Sequence, residues 1–434
     1  MKYLQEIQNA GNDPQLLEDM YQTARQEREA AEFAAALTAS YQASSDNLLY
    51  AAWYHRLQHV SLEEQEERSV NWKLAVPLSL VMVLIFWLFS QERFEFSNGM
   101  PYLVLGWAPV GASFVIAFLT LSSGKGKKQA MWVIGGLVAI GVYATLFALP
   151  RNRSHYRDLM VLHLPLAAWI GAGVSILHSR ADHQNRFAFL IKSIEAFITG
   201  GLYLGAGGAF VAITTGMFEA LGISLSDNVM RFLVGGGAGL IPVIAIAGVY
   251  DPHLSPIAQK FRQGLGKVIS TLMRLLMPLT LLVLVIYLFV IPFNFMEPFR
   301  NRDVLIVYNV MLFAVMGLLV GATPVRAQDL APKHQSALRT GILTAAILTV
   351  VVSLYALSAT VYRTVQGGIT MNRLTIIGWN SINIGILVLL IYKQFKDGPA
   401  QWIDSLQSAF SWGTMGYIVW TLFVVVAIPL LFRG

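Results

Sequence analysis

The sequence predicts an all-α, polytopic transmembrane helix bundle preceded by a small helical region. Three observations carry that expectation. Apolar runs recur along the chain at about 20 residues, the length a helix needs to cross a ~30 Å hydrocarbon core. The composition is 55% hydrophobic and 13% charged, whereas a soluble domain carries about 25% charged residues. The runs are continuous rather than alternating, so helices rather than barrel strands would satisfy the backbone inside lipid.

Taken in order, residues 1–70 are polar and read as a cytoplasmic helical arm. Asp13-Pro14 is a helix start, and Leu17, Met20, Tyr21 and Ala24 then recur at helical spacing. A second helix, "SDNLLYAAWYHRLQ", follows a Ser-rich break. The pair resembles one helical-hairpin repeat, which cannot bury its own apolar face. It is therefore expected to dock on the membrane domain, on another copy or on a cytoplasmic partner. Residues 71–434 form the transmembrane domain. Eleven spans are expected, at about 72–90, 101–122, 130–149, 158–178, 196–218, 229–250, 270–292, 303–322, 338–361, 374–392 and 411–432.

The first 70 residues show no short apolar segment behind a basic start, so the first span is expected to insert the chain with its amino terminus in the cytoplasm. The loops on that side then hold Lys125, Lys127, Lys128, Lys260, Lys267, Lys333, Lys393 and Lys396. The opposite side holds arginines instead, among them Arg151, Arg153, Arg157, Arg231, Arg302, Arg363 and Arg373. Lysine-rich loops mark the cytoplasmic side. The net charge of +6 suits an anionic leaflet and a bilayer partner. With no compact basic domain, it does not imply nucleic acid. Cysteine is absent, which excludes disulfides, thiolate metal sites and cysteine nucleophiles. Two basic segments, "NRFAFLIKSIEAF" and "SPIAQKFRQGLGKVISTLMRLL", are expected to lie in the plane of the interface.

Several features are candidates for function. Lys192 and Glu195 share one helical face and form a candidate ion pair. Buried, such a pair would mark a substrate or proton path; because the apolar run can begin after Glu195, a solvated interfacial pair is the expectation. Gly201, Gly205 and Ala209, with "VGGGAGL" in the next span, predict close helix packing, with a hinge as the alternative. Pro109, Pro165, Pro242 and Pro278 fall inside spans and can kink them. Tyr355, Ser358 and Tyr362 form one polar stripe, and Asn380 and Asn383 another on the next span. The two stripes either satisfy each other or line a polar cavity. The histidines are scattered, no nucleophile elbow occurs, and no catalytic, cofactor-binding or metal-ligating set is predicted.

The segment "YRTVQGGITMNR", residues 362–373, reads as the turn between the ninth and tenth spans. Gly367 and Gly368 are expected to adopt positive φ, and Thr370 or Asn372 to cap the next helix. Arg363 and Arg373 lie on the side that disfavours positive charge. They are candidates for contacts with lipid headgroups or with Glu297 or Asp303. This turn, the following Trp379, "GMFEALGISL" at 216–225 and "MRLLMPLTLLVLVIYLFVIPF" resemble motifs of a set of polytopic bacterial inner-membrane proteins, the domain of unknown function of 4153 type, with a 4173-type relative. The resemblance covers about half the chain, with departures at Gly367 and Ile369. It implies a bacterial inner membrane and supplies no activity. Transport of a small solute, ion or lipid is the expected function. A non-transporting scaffold or sensor, its arm recruiting a cytoplasmic partner, is the alternative. An enzyme acting on lipids would place headgroups on Arg151, Arg153 and Arg157, but no acid–base partner accompanies them.

Overall fold

A computed structural model of the chain describes residues 3–26, 29–65, 70–150, 153–177, 182–261, 264–330 and 332–432. It is 86% helical and has no strand among the described residues. The chain divides into two compact units, residues 1–70 and 71–434.

The first unit holds helices α1 (Leu4–Ala10), α2 (Pro14–Gln26), α3 (Ala30–Ala43) and α4 (Leu48–Gln65). The Asp13 carboxylate accepts the backbone N–H groups of Gln15 and Leu16 at 2.9 and 3.2 Å, starting α2. Asn47 does the same for Leu49 and Tyr50 at the start of α4. These are N-caps, each satisfying donors the helix cannot. Contrary to the expected hairpin with an open face, this unit buries its own core. The run beyond Pro14, expected as one helix, is two, α2 and α3. Phe33 therefore turns back onto Tyr21 and Trp53, with ring centroids 5.6–6.1 Å apart. Helix α1 closes the remaining side with Ile7, whose carbonyl accepts the Tyr50 hydroxyl at 2.9 Å.

Among its described residues the second unit contains eleven helices long and apolar enough to cross a membrane. They are α5 (Trp72–Phe89), α6 (Leu103–Ser123), α7 (Lys127–Ala148), α8 (Ser154–Leu177), α9 (His183–Ala220), α10 (Asp227–Val249), α11 (Gly264–Asn294), α12 (Arg302–Ala322), α13 (Lys333–Gly367), α14 (Met371–Asp397) and α15 (Pro399–Leu431). We call the face where the chain enters α5 the near face, and the other the far face. Helices α5–α8 and α10 pack as one group, and α11–α15 as another. The second group centres on Leu312, Leu319, Ile342, Leu387, Leu390 and Phe410. Phe187 from the start of α9 joins that core, while the later turns of α9 touch α10.

Two expectations change here. The segment "NRFAFLIKSIEAF" is not a separate interfacial helix: it is continuous with α9, a single 38-residue helix. Phe187 and Ala188 are wholly buried, because the segment is apolar on the side that meets α15. In the other basic segment the described residues form a short 3-10 turn at Pro256–Ala258, and α11 begins at Gly264. Close glycine packing occurs in α10, not α9. At Gly239 a β-carbon would sit 2.8 Å from the Val83 backbone nitrogen, so only glycine lets α10 approach α5 there. The α10 backbone widens into a π turn at Phe232–Gly236, then restarts at Ile241 with Pro242 in its first turn. A proline there forfeits no needed donor. Pro109, Pro165 and Pro278 sit within unbroken helices. Around Gly201 and Gly205 nothing lies within 4 Å of a β-carbon position, so the predicted small-residue face is open.

Candidate functional site

The far-face turn after α13 builds a cavity. Gly368 adopts φ +76°, but Gly367 does not share that conformation: its missing side chain instead leaves room for the Arg373 guanidinium, 2.7 Å from where a β-carbon would stand. Arg373 Nη1 donates to the Gly368 carbonyl at 2.7 Å, clamping the turn. Thr370 caps α14 by accepting the Arg373 backbone N–H at 3.3 Å. The free N–H groups at the start of α14 and the positive end of its dipole therefore face the same space.

That space is a cavity of about 670 Å³ on the far face. Arg302 from α12, Arg363 from α13, Arg373 from α14 and His155 from α8 line it. Thr370 and Asn372 add polar groups, and Leu305, Ile306, Ile369, Ile376 and Leu431 form apolar walls. Among the described residues no carboxylate lines it. Neither Glu297 nor Asp303 makes an ion pair with Arg363 or Arg373, contrary to one expectation. Arg363 Nη1 is buried without a hydrogen-bond partner. Three guanidinium groups, a helix start and an orphaned donor make a site for an anion.

Three other far-face arginines are spoken for. Arg231 pairs with Glu95 at 2.9 Å and donates to the Ser90 carbonyl. Arg157, 2% exposed, donates to the Ala148 and Pro150 carbonyls at the end of α7. Arg153 donates to the Phe432 carbonyl at 3.2 Å. Arg157 and Arg153 thus hold backbone carbonyls rather than the headgroups assigned to them; Arg151 lies outside the described residues.

On the near face, Lys192 and Glu195 form an ion pair at 2.7 Å, both less than a tenth exposed. The expected solvated pair is therefore buried. Phe261 lies 5.2 Å beneath the ammonium, and Gly266 approaches the carboxylate so closely that a β-carbon would be 3.0 Å from Oε2. A chain of contacts brings this cover into place. Asp182 accepts the Asn185 backbone N–H at 2.8 Å, capping α9, and its other oxygen accepts the Asn185 amide. Asn185 in turn accepts the Ile257 N–H at 3.2 Å, holding the loop before α11. Burial pushes the Asp182 carboxyl up, but the hydrogen bonds from Asn185 outweigh it and hold the group below the ordinary carboxylate range. Glu195 borders a cavity of about 320 Å³ that Lys267, Arg274 and Asp329 also line.

The two polar stripes do not meet. The Tyr355 hydroxyl donates to the Phe295 carbonyl at 2.7 Å, and Ser358 bonds within its own helix. Tyr362 packs its ring 5.4 Å from Phe299. Asn383 instead accepts the Tyr417 hydroxyl of α15 at 2.6 Å. Asn380 Oδ1, Asn383 Nδ2 and Ser353 Oγ are buried without partners, each an expense of about 1–3 kcal/mol. Beside Asn380, the Trp379 indole donates to His163 Nε2 at 3.0 Å. An indole N–H can only donate, so His163 carries its proton on Nδ1, which faces the Leu159 carbonyl at 2.8 Å. This histidine is neutral and structural.

Sequence reasoning placed Arg302 and Lys267 only as loop charges and singled out neither Arg274 nor Asp329. Arg302 carried a signal, since it opens a span on the side that holds only arginines. Among the described residues no group of three His, Asp or Glu side chains gathers as a metal site. No family model, curated protein or solved structure matches this chain.

Proposed function

We propose that the membrane unit recognises a phosphate- or carboxylate-bearing group in the far-face cavity and moves it in permease-like fashion, as part of a lipid, small solute or ion. One observation carries this reading: three arginines line one cavity, with no carboxylate among the described residues to neutralise them. Like charges gathered this way repel, and a bound anion relieves the repulsion. The apolar walls beneath the cationic rim suit a lipid, which presents charge and hydrocarbon together. A bacterial inner membrane, with residues 1–70 cytoplasmic, is the home supported by the lysine distribution and by the resemblance of the far-face turn to the 4153-type domain.

The test is flux in reconstituted vesicles, with headgroup-labelled phosphatidylglycerol, phosphatidylcholine and inorganic phosphate measured separately. Movement of phosphatidylglycerol alone supports a lipid cargo, movement of phosphate a free anion, and movement of none in a folded protein overturns transport. A second reading has its own support. The arm has a buried aromatic core of its own, as a module recruiting a cytoplasmic partner would need. Deleting residues 1–65 separates the two: flux that survives favours transport, whereas a cellular phenotype lost with insertion intact favours a scaffold or sensor.

A further inference from the structure

Below the arginines, three helix faces line up in register. On α12 the positions are Arg302, Leu305, Asn309, Leu312, Met316 and Leu319. On α13 they are Arg363, Thr360, Ala356, Ser353 and Thr349. On α14 they are Arg373, Ile376, Asn380, Asn383, Leu387 and Leu390. Each set steps by three and four residues, so each forms one face of its helix, and the three helices pack on one another. The first layer is cationic. The next layers mix small, hydroxyl and amide side chains with two leucines and an isoleucine. The last, toward the near face, is Met316, Leu319, Leu387 and Leu390 within the main core.

Asn309 is shared. It lines the arginine cavity and also a narrower gap with Leu312, Ser353, Ala356 and Asn380, too tight in this conformation for a water molecule. Ser353 Oγ and Asn380 Oδ1, on two sides of that gap, have no partner, although their residues are 3% and 2% exposed. One turn deeper, Asn383 leaves its Nδ2 unpaired. A dry helix seam selects apolar or self-satisfied residues. Three orphaned polar groups in a row below a cationic mouth fit a seam that is wet in another conformation.

We propose that the seam between α12, α13 and α14 is a hydrophilic path leading inward from the arginine cavity, which opens to water and small anions and is closed here from Leu312 to Leu390. The amides and hydroxyls along it can donate to an anion, and the arginines at its mouth exclude cations. The proposal stands whether or not the cavity's ligand is lipid-borne.

The absence of native cysteine makes the test direct. Ser353→Cys, a near-isosteric change, and Asn380→Cys are introduced singly, with Leu387→Cys as the sealed control. Each is exposed in vesicles to small anionic and cationic methanethiosulfonates added on the far face. Both path cysteines are expected to react about tenfold faster with the anionic reagent than with the cationic one, and faster than Leu387→Cys with either. Ser353→Cys reacting no faster than Leu387→Cys, in protein that labels fully once denatured, overturns the path. Equal rates with both reagents overturn its anion selectivity. Lipid or phosphate flux is scored separately, so failure of the path and failure of the cavity reading are distinguishable.

Discussion

The two charged cavities of the membrane unit solve the problem of charge near lipid in opposite ways. On the near face, Lys192 and Glu195 are buried as a matched pair, covered by Phe261 and Gly266. On the far face, Arg302, Arg363 and Arg373 share a larger cavity with no carboxylate among the described residues. A matched pair is complete without a ligand, and its chief consequence is folding: losing one partner strands the other. An unmatched set is incomplete, and its chief consequence is binding. Hydropathy and the distribution of lysines treat both places as boundaries of spans. Only the partners of each charge separate them.

That contrast can be broken most severely at the pair. Lys192→Met leaves Glu195 buried alone and is expected to cost about 3–5 kcal/mol, read as denaturant unfolding in detergent. A loss below about 1 kcal/mol would mean that the pair is solvated after all. Gly367→Ala places a methyl group against the Arg373 guanidinium. Because the guanidinium is the movable end of its side chain, the cost should be about that of its hydrogen bond to the Gly368 carbonyl, about 0.5–1.5 kcal/mol, with anion binding weakened too, since the turn and the cavity share that arginine. Asp182→Ala removes the cap of α9 and should cost about 1 kcal/mol at neutral pH. Because the folded Asp182 carboxyl titrates below its ordinary range, its contribution is full above that range and is lost as the pH falls through the folded value. The wild-type and variant unfolding curves should therefore converge in acid. The smallest effect on stability is expected at the unmatched set. Arg363→Gln should change unfolding by no more than about 0.5 kcal/mol, and in the stabilising direction if repulsion among the three arginines dominates.

The spans were legible because a bilayer imposes one length and one polarity on every helix, and all eleven helices fall at the expected places. Partners were not legible, because they come from distant helices. Asn383 bonds to Tyr417 on α15, and Trp379 to His163 on α8; neither pairing follows from spacing along one helix. The turn at 367–370 was half legible. Positive φ is a property glycine signals locally, and Gly368 has it, whereas the role of Gly367 depends on where the Arg373 side chain goes. Burial of Lys192 was misjudged for a similar reason: the cover comes from a loop more than 60 residues onward, held by Asn185. The glycines of α9 were misjudged because a smooth face signals packing only when a neighbour is present.

The central claim is that the far-face arginines hold an anionic group. The most direct measurement is native mass spectrometry of the purified protein with equimolar phosphatidylglycerol and phosphatidylcholine, comparing wild type with Arg363→Gln/Arg373→Gln. The wild type should prefer the anionic lipid by about tenfold, equivalent to ~1.4 kcal/mol. The double variant should lose that preference while remaining folded, its melting temperature lowered only by loss of the Arg373 clamp on the Gly368 carbonyl. An identical preference in both proteins, or none in the wild type together with no competition by inorganic phosphate, would contradict it.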